Sequence, residues 1–103
     1  MEIYWSAEAL EHLEHIRHHI AQDNPKAAFE VWEYLYEFPQ QQLMPSPDQA
    51  FPRRGHEGIF PGTLELTNTR YRNYIIVYVP HDGWIEITAV RDARMKPKRI
   101  RRR

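Results

Sequence analysis

Residues 63–94, TLELTNTRYRNYIIVYVPHDGWIEITAVRDAR, decide the fold. Apolar side chains alternate at Leu64 and Leu66, run almost unbroken from Tyr74 to Val79, and alternate again at Ile85, Ile87 and Ala89. That pattern reads as three consecutive strands. Two turn signals separate them, Asn68-Thr69 and Pro80-His81-Asp82-Gly83, the second ending on a glycine free to take a positive φ. Connections this short force antiparallel pairing, because a parallel crossover needs a dozen or more residues. The middle strand is the most apolar and is expected to be buried on both faces. In the outer strands Leu64, Leu66, Ile85 and Ile87 should face a core, while Thr63, Glu65, Thr67, Glu86 and Thr88 face outward.

Working outward, the N-terminal half supplies the cover for that core. Ile3-Tyr4-Trp5 reads as a short edge strand, and Ser6 as the N-cap of a helix carrying Glu8 in its first turn. Leu10, Leu13, Ile16 and Ile20 follow at helical spacing, giving an amphipathic helix over residues 7–22. Asp23-Asn24-Pro25 breaks it and starts another, with Asn24 as cap and Pro25 at the first helical position. Ala28, Val31, Trp32, Leu35 and Phe38 continue the apolar stripe, and Pro39 should kink or end the second helix, with Leu43 on a resumed last turn. The two helices should form an antiparallel hairpin across one sheet face. Residues 44–62 hold four prolines and three glycines without any period and read as one long loop that brings Arg53 and Arg54 to the meander.

Composition bounds the function. A chain of 103 residues makes one small domain, here residues 1–95, followed by a basic tail at 96–103 that should be mobile without a partner. With no cysteine there is neither a disulfide framework nor a thiolate metal site. No apolar run reaches membrane-spanning length and residues 1–9 lack signal-peptide character, so a cytoplasmic protein that does not engage the membrane is expected. The formal net charge is zero but unevenly spread. Residues 1–50 hold two basic against nine acidic side chains, whereas residues 96–103 hold six basic and no acidic ones. Such asymmetry points to a partner or to pairing of opposite ends.

Nucleophilic chemistry has no support here. Ser6 is a cap, Ser46 lies between two prolines, and no phosphate-cradling glycine-rich loop appears. His15 and His19 stand one helical turn apart, beside Glu11 and His12, and are the residues that a divalent metal would use. Only imidazoles on a polar helix face are on offer, so a solvated face is preferred, and neither a metal nor another cofactor is expected. Arg53, Arg54, Arg70, Arg72, Arg91 and Arg94 read as a basic rim around the outward sheet face, with Tyr71, Tyr74 and Tyr78 nearby. The rim would contact phosphates or an acidic partner, or satisfy Glu57, Glu65, Glu86 and Asp92 as surface pairs worth little each.

The order strand, helix, helix, loop, three strands resembles the RelE/ParE superfamily of toxins from bacterial type II toxin-antitoxin modules. The residues that carry the resemblance are Ser6 to Ala9 at the helix start, Asn24-Pro25 with Ala27-Ala28, Pro52-Arg53-Arg54-Gly55, Gly62 to Leu66, Tyr74 to Tyr78, and Ile85-x-Ile87-x-x-Val90 ending at Arg94. The implied fold is α+β: an N-terminal strand and a two-helix hairpin packed on a three- to four-stranded antiparallel sheet. The implied activity divides. RelE-like members cut messenger RNA on the ribosome with basic residues of the meander, whereas ParE-like members bind DNA gyrase and are not nucleases.

Where the ribonuclease branch places lysines and an arginine, this chain has Thr63, Glu65 and Ile75. A carboxylate and an aliphatic group do not stabilise the charge that develops on a phosphate under attack. The resemblance therefore implies a non-enzymatic, ParE-like toxin that inhibits gyrase, stabilises plasmids and is neutralised by a cognate antitoxin in a hetero-oligomer. The alternatives are a ribosome-dependent endoribonuclease using Arg53, Arg54, Arg91 or Arg94, and a non-toxic scaffold of the same fold. For target binding it points to Arg72, Tyr74, Arg91 and Arg94. For antitoxin binding it points to Trp32, Tyr36 and Phe38.

Overall fold

A computed structural model describes residues 2–43, 56–57 and 62–94. Arg53, Arg54 and the basic tail lie outside them. The elements are β1 (Glu2–Trp5), α1 (Ala7–Ala21), α2 (Pro25–Leu43), β2 (His56–Glu57), β3 (Leu64–Leu66), β4 (Tyr74–His81) and β5 (Trp84–Asp92). The strands form one sheet in the order β1-β5-β4-β3-β2. As expected, β3, β4 and β5 pair antiparallel. The sheet is nevertheless mixed, because β1 pairs with β5 in parallel, Glu2 beside Trp84 and Trp5 beside Ile87. A helical hairpin separates β1 from the meander, and such a crossover is what a parallel neighbour requires. The two-residue β2 extends the far edge, so the sheet holds five strands in all.

Helix starts fall where the caps place them. Ser6 Oγ accepts the N–H of Ala9 at 3.1 Å, and Asn24 Oδ1 accepts the N–H of Ala27 at 3.1 Å. Pro39 does not end α2, which continues to Leu43. Pro39 and Leu43 are both buried, and packing of the ring and of the last turn offsets the lost intrahelical bond. Ala9, Leu13, Val31 and Leu35 meet Leu66, Tyr74, Ile76, Tyr78, Ile85, Ile87 and Val90 in one core. Burial pushes the Tyr78 phenol up to about 12.

Two connections differ from the expected turns. Pro80 and His81 are the last residues of β4, so the hairpin turn is only Asp82-Gly83, with Gly83 at φ +88°. Between β3 and β4 the buried Asn68 organises the chain. Its Oδ1 accepts the Tyr71 N–H, and its Nδ2 donates to the carbonyls of Tyr71 at 3.2 Å and Tyr74 at 3.1 Å.

The largest correction concerns β5. A register shift between Val77 and Tyr78 pairs Tyr78 with Ile87 and Val77 with Ala89, leaving Thr88 as the additional residue of a β-bulge. Alternation is reset there, so Val90, not Ala89, follows Ile87 into the core. Thr88 Oγ1 donates to the Val77 carbonyl at 3.3 Å, and Ser6 Oγ donates to the Thr88 carbonyl at 3.5 Å. Ser6 N–H also donates to the Ile87 carbonyl at 3.0 Å. One serine thus caps α1 and holds the bulge.

Asn68→Ala removes three hydrogen bonds, taking the Asn68 partner from the Tyr74 carbonyl and the Tyr71 N–H while the Tyr71 carbonyl keeps the Tyr74 N–H, and should cost about 2 kcal/mol, lowering Tm by roughly 10 °C. Ser6→Ala should cost about 1–2 kcal/mol. Thermal unfolding followed by circular dichroism measures both.

Candidate functional site

The bulge divides the charged end of β5 between the two sheet faces. Arg91 faces away from the helices, on the front, across from Ile75. Glu65 stands on the same face of β3, across from Val77. Arg91 Nε and Nη2 donate to the two carboxylate oxygens of Glu65 at 3.2 and 3.3 Å, spanning the middle strand. Glu65, expected to face solvent, is only 4% exposed, and Ile75 and Val77 beside it are buried as well. A carboxylate so far out of water needs a paired and hydrogen-bonded cation, which the guanidinium fork supplies. The centre of the front face is therefore a neutralised ion pair over aliphatic side chains.

Asp92 and Arg94 lie on the helix side. There a cleft of about 390 Å³ is lined by His12, His15, Ile16 and His19 of α1 and by Tyr74, Val90, Asp92 and Arg94. Arg94 Nε and Nη2 donate to Asp92 at 3.1 and 2.8 Å, and the Arg94 N–H donates to the same carboxylate at 2.9 Å. These bonds hold the Asp92 carboxyl below its ordinary range, with a smaller contribution from His19. They also raise the Arg94 guanidinium, to which the Tyr74 hydroxyl adds. His12 Nδ1 accepts the N–H of Val90 at 3.2 Å, which places the ring proton on Nε2. Among the described residues no group of three or more His, Cys, Asp or Glu is arranged to hold a metal ion.

The described arginines do not form one rim. Arg70 stacks over Tyr34 and Tyr71 at 5.5 and 5.3 Å, beside Glu30, Glu33 and Glu37 of α2. Arg72 is exposed in the β3–β4 connection, and Tyr74 is buried with its hydroxyl toward Arg94. The three aromatic residues of α2 expected at one groove fall into two clusters. Trp32 and Tyr36 stack on each other at 5.1 Å and Tyr36 on Trp5 at 5.2 Å, whereas Phe38 stacks on Tyr34 at 5.3 Å. Trp5, read only as part of an edge strand, and Tyr34 join these clusters, and Trp32/Tyr36 and Tyr34/Phe38 each stand at a four-residue spacing that brings side chains together.

The sequence matches the ParE toxin family of the type II toxin-antitoxin system parDE over residues 3–97. The chain belongs to the ParE toxin family. Among solved structures, the chromosomal ParDE toxin-antitoxin system from P. aeruginosa is similar, with a TM-score of 0.70 and 20% identity over 89% of this chain and 95% of that one. At that identity the likeness speaks for the fold. None of the curated proteins matches.

In this ParE family member the two arginine pairs near the end of β5 differ in weight. Arg91 is 22% exposed and its carboxylate partner 6%, whereas the Arg94 side chain is 59% exposed. Arg91→Ala removes a fork from a buried carboxylate and should cost about 2 kcal/mol; Arg94→Ala, which breaks an exposed pair, should cost clearly less. Denaturant titrations at neutral pH give both numbers. The pH dependence of the second pair follows from the depressed Asp92 carboxyl. Its stabilisation is present above the unfolded value of about 3.9 and fades as pH falls through the folded value. Asp92→Asn should therefore be slightly less stable than the parent at pH 7, with the difference closing below about pH 4.

Proposed function

We propose that this ParE family member arrests growth by binding DNA gyrase as a protein ligand, and that a cognate antitoxin neutralises it in a hetero-oligomer. One observation carries the gyrase reading: the Glu65–Arg91 ion pair at the centre of the front face. Cleavage of a phosphodiester requires cations free to meet charge as it develops on the phosphate. Here the guanidinium on that face is committed to a carboxylate, and the middle strand beneath offers Ile75 and Val77. Such a surface suits recognition of a protein.

For the antitoxin, the helices offer apolar groups left in water. Tyr36 is 41% exposed, Phe29 58% and Leu10 41%. An amphipathic segment that folds on binding buries such groups, and ordering it costs free energy that a large contact area offsets. Within this reading Trp32 and Tyr36 form one contact shelf and Phe38 a neighbouring one, because the stacking separates them.

Purified protein should inhibit supercoiling by gyrase in vitro and leave transcripts on translating ribosomes intact. Cleaved transcripts with gyrase unaffected would overturn the reading in favour of the ribonuclease, and inactivity in both assays would favour the scaffold. Tyr36→Ala should weaken antitoxin binding about tenfold, as loss of a central aromatic contact does, with isothermal titration as the measurement.

A further inference from the structure

The end of the front face remote from Arg91 carries a second, different surface. At the start of β5 the Trp84 ring meets Tyr4 of β1 edge to face, centroids 6.2 Å apart and planes at 79°. Tyr4 is 58% exposed and Trp84 37%. The other neighbour of Trp84 is the His81 imidazole, stacked at 4.1 Å and 14°, whose Nε2 lies 2.9 Å from Glu86 Oε1. The register places Glu2 beside Trp84 and Glu86 beside Tyr4 on this same face, with Asp82 in the adjoining turn. Residues 2–5 and 79–90 contain no lysine or arginine. Two exposed aromatic rings thus sit edge to face among three carboxylates, of which Glu86 is bonded to His81 and none has a lysine or arginine in those stretches.

We infer that this surface docks an extended basic segment of a protein partner, with an arginine side chain laid over Tyr4 and Trp84 and its guanidinium turned to Glu86. The electron-rich ring faces attract a cation, and Arg favours them over Lys because its planar group stacks. The carboxylates strengthen that attraction and repel phosphate, which disfavours a nucleic acid despite the stacking surface. The backbone next to the rings provides the second element. Among the described strands β1 lies at the sheet edge with β5 as its single neighbour, so an extended chain can add there through main-chain hydrogen bonds. In an added strand every second side chain falls on the front, level with Tyr4. Neither gyrase nor the antitoxin enters this assignment, which rests on the charge and ring geometry of one sheet end.

The test uses the full chain, labelled with ¹⁵N, and three synthetic hexapeptides in which valine alternates with arginine, with glutamine or with glutamate, together with an oligothymidine. The arginine peptide should shift the Trp84 indole N–H and the amides of residues 2–5 and 84–86, and should bind at least tenfold more tightly than the glutamine peptide, with the glutamate peptide silent. Trp84→Leu should weaken it at least fivefold and Glu86→Gln at least threefold, with spectra elsewhere unchanged. Glu86→Gln keeps the shape of the side chain, so a folded protein is available even if Trp84→Leu perturbs the hairpin. The inference is overturned if the arginine peptide does not bind, if the glutamine peptide binds equally well, if the shifts fall on the acidic helices, or if oligothymidine shifts the same resonances.

Discussion

The single extra residue at Thr88 governs what each face of this sheet can do. If β5 alternated without interruption, Ala89 and Arg91 would follow Ile87 toward the helices, and the Arg91 guanidinium would enter the apolar core. Removing a charge from water without a partner costs several kcal/mol even after relaxation. The bulge instead sends Val90 inward and Arg91 to the front, where Glu65 awaits it. Ser6 stabilises this arrangement from outside the strand, because it bonds the carbonyls of Ile87 and Thr88 while capping α1. The entry of the chain into its first helix and the parity of its last strand therefore depend on one hydroxyl and one N–H.

Much of this was legible in the sequence, and for local reasons. Helix starts were visible because Ser6 and Asn24-Pro25 satisfy the first amides of a helix, which depends on nearest neighbours alone. The three strands were visible because Leu64/Leu66, Tyr74 to Val79 and Ile85/Ile87 carry their own period. The direction of β1 was not, since a four-residue strand contains nothing that names its neighbour. Glu65 read as a solvent-facing carboxylate because its partner lies 26 residues away, and only the reset parity brings the two together. The spacing Ile85-x-Ile87-x-x-Val90 contains the bulge, whereas strict alternation points to Ala89. Pro39 does not end α2, which runs on to Leu43 as its last turn: its cost to a helix is real, but a buried ring and a buried Leu43 offset it.

The open edge of β5 shows how helix and strand share one task. β1 accompanies β5 only as far as Ile87, and Ser6 then turns the chain into α1. Beyond that point the N–H of Val90 is met by His12 from the helix, so an imidazole stands where a strand carbonyl would have been. His12 thus completes a sheet edge as well as lining the cleft that His15 and His19 also line.

Charge on this molecule is distributed so that Arg70, Arg91 and Arg94 have local partners while Arg72 is exposed, and one group of carboxylates has no lysine or arginine within residues 2–5 and 79–90. Arg91 answers Glu65, Arg94 answers Asp92, and Arg70 lies on two tyrosine rings. At the other end of the front face Glu2, Asp82 and Glu86 gather around exposed aromatic rings with only His81 among them. Committed cations make a poor phosphate clamp, because each would first have to leave a hydrogen-bonded carboxylate. Exposed aromatics beside carboxylates that no lysine or arginine of the same stretches meets make a good seat for a cation carried by another chain. Under the proposed reading, both ends of the front face would meet a protein partner.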